Sequence, residues 1–98
     1  FISGQIPLDP RSGEVVAGGI DIQARRALEN LGAILHAQGL DYPSVVKTTV
    51  FLRRMEEFKE FNEIYARYFA SGPPARSCIE VSRLPGGVDV EIEAVAAY

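Results

Sequence analysis

The sequence predicts an α+β fold in which one sheet carries two helices on a single face. Three observations support that expectation. The chain has 98 residues, enough for one domain around one core. Two segments repeat apolar residues every three or four positions, as helices with one buried side do. Four other segments are short and β-branched or alternating, and the order along the chain is strand, helix, strand, helix, strand, strand.

Residues 1–6 are apolar and partly alternating, and PLDPRSGE follows with the Pro, Asp, Ser and Gly density of a loop. After Gly18 and Gly19, Asp21 is the expected N-cap of a helix. Its stripe is Ala24, Ala27, Leu28, Leu31, Ile34 and Leu35, and Gly39 stops it. Residues 45–53, VVKTTVFLR, read as a strand with Val46, Thr48, Val50 and Leu52 on one side and Lys47 and Thr49 on the other. Met55, Phe58, Phe61, Asn62, Tyr65 and Phe69 define a second helical stripe, with Glu56 and Glu57 in the first turn. The final strands are expected over 75–83 and 88–97, joined as a hairpin by LPGG. With Arg83 opposite Val88, Glu91 would face Glu80 and Glu93 would face Cys78. Arg76, Cys78, Glu80, Asp89, Glu91 and Glu93 would then share the sheet face that the helices leave bare.

Composition narrows the function classes. A chain 47% hydrophobic and 23% charged has the balance of an ordinary globular protein, which argues against disorder. No apolar run reaches the roughly 18 residues of a membrane span, so no membrane partner is expected. The net charge of -3 gives no basic field for a nucleic-acid backbone, so none is expected as a partner either. One cysteine cannot make an internal disulfide, which fits a reducing, cytoplasmic setting. One histidine and one cysteine in the whole chain are too few soft ligands for zinc, so no metal is expected, and no cofactor is expected either. A domain this small with one sheet face bare is expected to self-associate.

The segment PPARSCIEV holds the main candidate. Arg76 is either a solvated strand residue or the anion-binding end of a pocket, and small Ala75 and Ser77 beside it leave room for a ligand. Cys78 has no His or Lys near it in sequence to generate a thiolate, so a small buried residue competes with a nucleophile. Asn62 interrupts an aromatic stripe, either exposed at its edge or buried with partners. His36 reads as a surface residue near a helix C-terminus. Glu91 and Glu93 have the same strand parity, and pattern does not separate them as the carboxylate of a site.

Taken together, SGQIPLDPRSGEV, ALENLGAIL, VVKTTVFL, FNEIYARYF, PPARSCIEV and RLPGGVDVEIEAVA resemble the RidA (YjgF/YER057c/UK114) family over nearly the whole chain. The resemblance implies a chorismate-mutase-like sandwich assembled as a homotrimer, with active sites in clefts between neighbouring subunits. It implies an enamine/imine deaminase that hydrolyses reactive 2-imino acids to 2-keto acids and ammonia, of the 2-iminobutanoate/2-iminopropanoate type. On this likeness the carboxylate-binding arginine falls on Arg76 and the glutamate of the catalytic water on Glu91. Ser3, Gly4, Asn62, Ala75 and Cys78 match positions that line the pocket.

Family members usually carry an earlier strand bearing an aromatic pocket residue, so the expected unit is a single domain over 1–98 that lacks that upstream strand. Arg53 and Arg54 stand where an Asp-type cap is common, and ASGPPARS looks like a shortened loop. Three other functions compete. A non-catalytic trimeric ligand-binding or interaction module would need Arg76 but not Glu91. Ribonuclease or translation-inhibitor activity would need a basic and aromatic patch. Chorismate mutase, an analogy of fold alone, would need more than one placed cation.

Overall fold

The computed structural model describes residues 1–98. Its strands are β1 (Ile2–Gln5), β2 (Val45–Leu52), β3 (Ala75–Glu80) and β4 (Val90–Ala96), and its helices are α1 (Ile20–Ala37) and α2 (Phe58–Tyr68). They form one four-stranded sheet in the order β1-β4-β2-β3, with both helices packed on it in an α+β arrangement. β1 and β2 each run antiparallel to β4, and β3 runs parallel to β2. The three strands β1, β2 and β3 therefore point the same way, and each crossover between them carries one helix. No helix is long and apolar enough to cross a membrane.

The core lies between that layer of helices and the sheet. Ala24, Ala27, Leu28, Leu31 and Leu35 of α1 are fully buried, as the stripe requires, while Ile34 is exposed. They meet Val50 and Leu52 of β2 and Val90, Ile92 and Ala94 of β4. Each buried leucine stabilises the fold by about 1.5–3 kcal/mol relative to leaving it in water. The end of α1 is a Schellman motif: Gly39 takes φ 71°, its N–H donates to the His36 carbonyl, and the Leu40 N–H donates to the Leu35 carbonyl. His36 is exposed in the last turn, with Nε2 3.1 Å from the Asp41 carboxylate.

Several local expectations are corrected. Gly19, not Asp21, is the N-cap of α1, because Ile20 already enters the core at the first helical position. Asp21 stays in the first turn, where its charge still suits the helix dipole. Val46 is exposed because the β2–β4 register steps from Val45 opposite Ala96 to Lys47 opposite Val95. That extra residue is a bulge, and it gives the core position to Val45. Met55 sits exposed in a 3₁₀ turn ahead of α2, whereas Ile64, outside the expected stripe, is buried.

The larger correction concerns the last two strands, which do not form a hairpin. β3 ends at Glu80, and residues 81–89 cross the end of β2, which lies between β3 and β4. Both ends of the crossing are tied there. The Val81 N–H donates to the Leu52 carbonyl and the Arg53 N–H to the Asp89 carbonyl. Gly86 and Gly87 turn the chain at φ 67° and 68°, a conformation that disfavours other residues. Buried Gln23 secures the exit: it accepts from the Asp89 N–H and donates to the Val16 carbonyl.

The cross-strand pairs follow from β2. Thr48 stands opposite Arg76, Val50 opposite Cys78 and Leu52 opposite Glu80. On its other side Thr49 stands opposite Glu93 and Phe51 opposite Glu91. Side chains of paired residues share a face. Arg76, Cys78 and Glu80 are thus on the helix side, and Glu91 and Glu93 are on the bare face. The expected common polar face, with Glu91 opposite Glu80 and Glu93 opposite Cys78, does not exist.

Tyr42 closes the core between the helices. Its hydroxyl donates to the Leu28 carbonyl at 2.8 Å, and its ring packs against Tyr68 and Phe69. Burial, with Tyr68, Glu29 and Asp41 nearby, pushes the phenol up to about 12, so it remains a donor at neutral pH. Gly32 makes this possible, because a Cβ there would overlap the hydroxyl end of the Tyr42 ring. Gly32→Ala gains about 1 kcal/mol of helix propensity but forces overpacking that costs about 1–3 kcal/mol. It is expected to lower the melting temperature by several degrees. In a Tyr42→Leu background the same substitution should be neutral or stabilising, and calorimetry of the wild type and the three variants checks both.

Candidate active site

Arg76 lies on an edge strand, opposite buried Thr48, so its side chain emerges under α2. One guanidinium nitrogen, Nη1, donates to the Asn62 side-chain oxygen at 2.6 Å. The guanidinium carbon lies 4.7 Å from the Tyr65 ring centre and 5.3 Å from that of Phe58. These aromatic faces favour a cation without consuming its N–H donors. The chain's two contacts between a basic side chain and a carboxylate are Arg26–Glu29 and His36–Asp41, so Arg76 is half-buried with no carboxylate partner. It borders a cavity of about 550 Å³ walled by Asn62, Tyr65, Ala66, Phe69, Pro73 and Pro74.

Cys78 follows on the same side of β3 and is half-buried. Burial pushes its thiol up, and the Arg76 charge opposes that only in part. A protonated thiol is a poor nucleophile. Asn62 resolves its two expected alternatives as a partly buried amide whose oxygen accepts from Arg76.

Glu91 occupies a different place. On the bare face, its carboxylate lies against the backbone of Gly4, in the volume a Cβ would fill. The approach is possible because β1 and β4 shift register between Ile2 and Gln5, three steps on one strand against two on the other. Ser3, within this bulge, is exposed. It lines a second cavity of about 320 Å³ with Lys47, Thr49, Glu93 and Val95. Ala75 also belongs to the bare face, opposite Lys47. The Lys47 ammonium donates to the Thr48 carbonyl and the Ser77 hydroxyl.

The chain therefore brings its candidate residues together as two groups. Arg76, Asn62 and Cys78 lie on the helix side at one sheet edge, and Gly4, Ser3 and Glu91 lie on the bare face toward the other. No cavity of the single chain is lined by both Arg76 and Glu91. No cluster of three or more His, Cys, Asp or Glu side chains has metal-ligand proximity. Sequence pattern assigned Phe58 and Tyr65 to the core, and they do pack there, but both also face Arg76. Their spacing with Asn62, at positions 58, 62 and 65, was the available signal: one helix stripe supplies two aromatic faces and an amide.

Comparison with known proteins agrees with this architecture. The profile of the family described as Endoribonuclease L-PSP matches residues 1–98. A human protein named 2-iminobutanoate/2-iminopropanoate deaminase is 52% identical over 98% of this chain and 70% of its own length. The crystal structure of a putative endoribonuclease from Thermotoga maritima superposes with TM-score 0.97 at 51% identity, covering all of this chain and 77% of that one. That of E. coli TdcF with bound serine gives TM-score 0.93 at 43% identity, covering 98% and 77%. A match along the full 98 residues, joined to the same fold at this level of identity, establishes that the chain belongs to the Endoribonuclease L-PSP family, also called YjgF/RidA.

Proposed function

We propose that the protein is an imine deaminase: it hydrolyses 2-imino acids and their 2-enamine tautomers, such as 2-iminopropanoate and 2-aminoacrylate, to 2-keto acids and ammonia. The observation that carries this reading is the half-buried Arg76 guanidinium, directed by Asn62 and two aromatic rings but lacking a counter-ion. Such a group is costly to bury alone and favours an incoming carboxylate, which it can grip with two parallel hydrogen bonds. The human deaminase relative and the serine held by E. coli TdcF support a small substrate of amino-acid type.

Water adds to the imine carbon, the resulting carbinolamine releases ammonia, and a carbonyl remains. Glu91 would accept a proton from the attacking water and return it to the departing nitrogen. Little more is needed, since fixing the carboxylate and the water supplies most of the gain by orientation. Because Glu91 and Arg76 occupy opposite faces of one sheet, the reading requires them from different chains. A homotrimer in which the β3 edge of one subunit meets the bare face of its neighbour would bring the Arg76, Asn62 and Cys78 group of the first to the Ser3, Gly4 and Glu91 group of the second. The same separation within one chain favours a second reading, a ligand-binding module that uses Arg76 alone.

Arg76→Ala is expected to weaken both imino-acid turnover and pyruvate binding by roughly 10- to 150-fold, the loss of a charge-assisted contact of about 1.5–3 kcal/mol. Arg76→Lys should restore only part, because an ammonium cannot copy the fork. Glu91→Gln should abolish most turnover while leaving pyruvate binding intact. Turnover is read by coupling to a threonine or serine dehydratase and trapping residual imine with semicarbazide. Full activity of Glu91→Gln, with binding still lost in Arg76→Ala, would leave the binding module as the function.

Cys78→Ser is expected to keep most turnover, since water and not sulfur attacks. The raised thiol pKa also predicts slow alkylation by iodoacetamide at neutral pH compared with an unstructured cysteine peptide. That gap should narrow as pH rises above the ordinary thiol range, and Arg76→Ala should widen it. Rapid alkylation at pH 7, or a covalent adduct on Cys78 during turnover, would contradict the assignment.

A further inference from the structure

Beneath Arg76 lies a buried hydrogen bond that ordinary packing does not require. Thr48 Oγ1 and Tyr65 Oη are 2.7 Å apart, with Thr48 fully buried and Tyr65 nearly so. A valine and a phenylalanine would fill the same volume without burying two hydroxyls that are costly unless paired. The pair has a definite location. Thr48 is the ladder partner of Arg76, and the Tyr65 ring lies 4.7 Å from the guanidinium carbon. The contacts close a triangle: strand pairing fixes Thr48 beside Arg76, the hydrogen bond ties the ring to Thr48, and the ring supports the guanidinium.

We infer that Tyr65 and Thr48 are positioning residues for Arg76, setting the direction of its guanidinium before an anion arrives. This rests on Arg76 being the carboxylate anchor proposed above. The Tyr65 ring is held at its far end by Thr48 and along its sides by Phe61 and Phe69, at centroid distances of 5.6 and 4.6 Å. It therefore cannot tilt freely to follow a moving cation. Burial raises the Tyr65 phenol despite the opposing effects of Thr48 and Arg76, so the ring stays neutral beneath the cation. Asn62 holds one edge of the guanidinium and the rings hold its flank, leaving its other N–H groups to be aimed at the ligand. Because this contact acts equally on bound substrate and transition state, its loss should appear in KM and not in kcat.

The test measures pyruvate affinity by calorimetry, imino-acid kinetics and melting temperature for Tyr65→Phe, Tyr65→Leu, Thr48→Val and the Thr48→Val/Tyr65→Phe double variant. Tyr65→Leu, which removes the aromatic face, should raise the pyruvate Kd about 10-fold. Tyr65→Phe keeps the face but frees it, and should raise Kd and KM about threefold with kcat within about twofold of wild type. The double variant leaves neither hydroxyl unpaired, so it should regain melting temperature relative to the single variants while pyruvate binding stays weak. Binding and melting temperature recovering together would make the pair structural only and overturn the inference. So would unchanged affinity in Tyr65→Phe and in folded Tyr65→Leu while Arg76→Ala is impaired. Unchanged affinity in Arg76→Ala itself would overturn both the anchor and this inference.

Discussion

The parallel pairing of β3 with β2 is the constraint from which the site follows. Because Thr48 points into the core, its partner Arg76 must emerge on the helix side, beside Asn62, Phe58 and Tyr65 of α2. The antiparallel pairing of β2 with β4 acts in the opposite sense. Phe51 points away from the helices, so its partner Glu91 is held on the bare face over Gly4. A one-residue slip of β3 would turn Arg76 to the bare face, and the same slip of β4 would place a glutamate where buried Ile92 now packs. The core therefore fixes the separation of the two charged groups as firmly as it fixes its own contacts.

Within each group the electrostatics differ. Arg76 is surrounded by aromatic faces and one amide oxygen, an environment that tolerates its charge without neutralising it. The same positive charge lies close enough to Cys78 to oppose, though not cancel, the effect of burial on the thiol. Gly4 contributes by lacking a side chain, since its bulged backbone lets the Glu91 carboxylate settle against it. Both groups thus rely on local departures from regular structure, an edge strand in one case and a bulge in the other.

Much of this was legible in the sequence, and the failures have definite causes. The stripe from Ala24 to Leu35 and the run VVKTTVFL each reported their buried sides because one face meets a core. Strand order was not legible. Adjacent strands joined by LPGG resemble a hairpin, and nothing local in 75–96 records that β2 occupies the place between them. The error passed directly into the site, because the supposed hairpin put Arg76 and Glu91 on one face. The roles expected of Arg76 and Glu91 came instead from the family resemblance, which does not depend on that register. The bulge at Val46 and the contact between Tyr42 and Gly32 were invisible because they depend on residues distant in sequence. Tyr65 was assigned to the core, where it does lie, but its second role needs Arg76 from another element above it.

The central claim is that one site draws Arg76 and Glu91 from two chains, and complementation between inactive variants tests it most directly. Arg76→Ala and Glu91→Gln chains carrying different tags would be co-expressed, and doubly tagged oligomers isolated and assayed, with light scattering reporting their mass. Random assembly of equal amounts pairs an intact Arg76 with an intact neighbouring Glu91 at about one site in four, so the unfractionated mixture should recover about a quarter of wild-type turnover. Each variant alone should remain nearly inactive, and the mass should be three times that of the chain. Mixed oligomers of normal mass and normal melting temperature with no recovered activity would contradict the shared site.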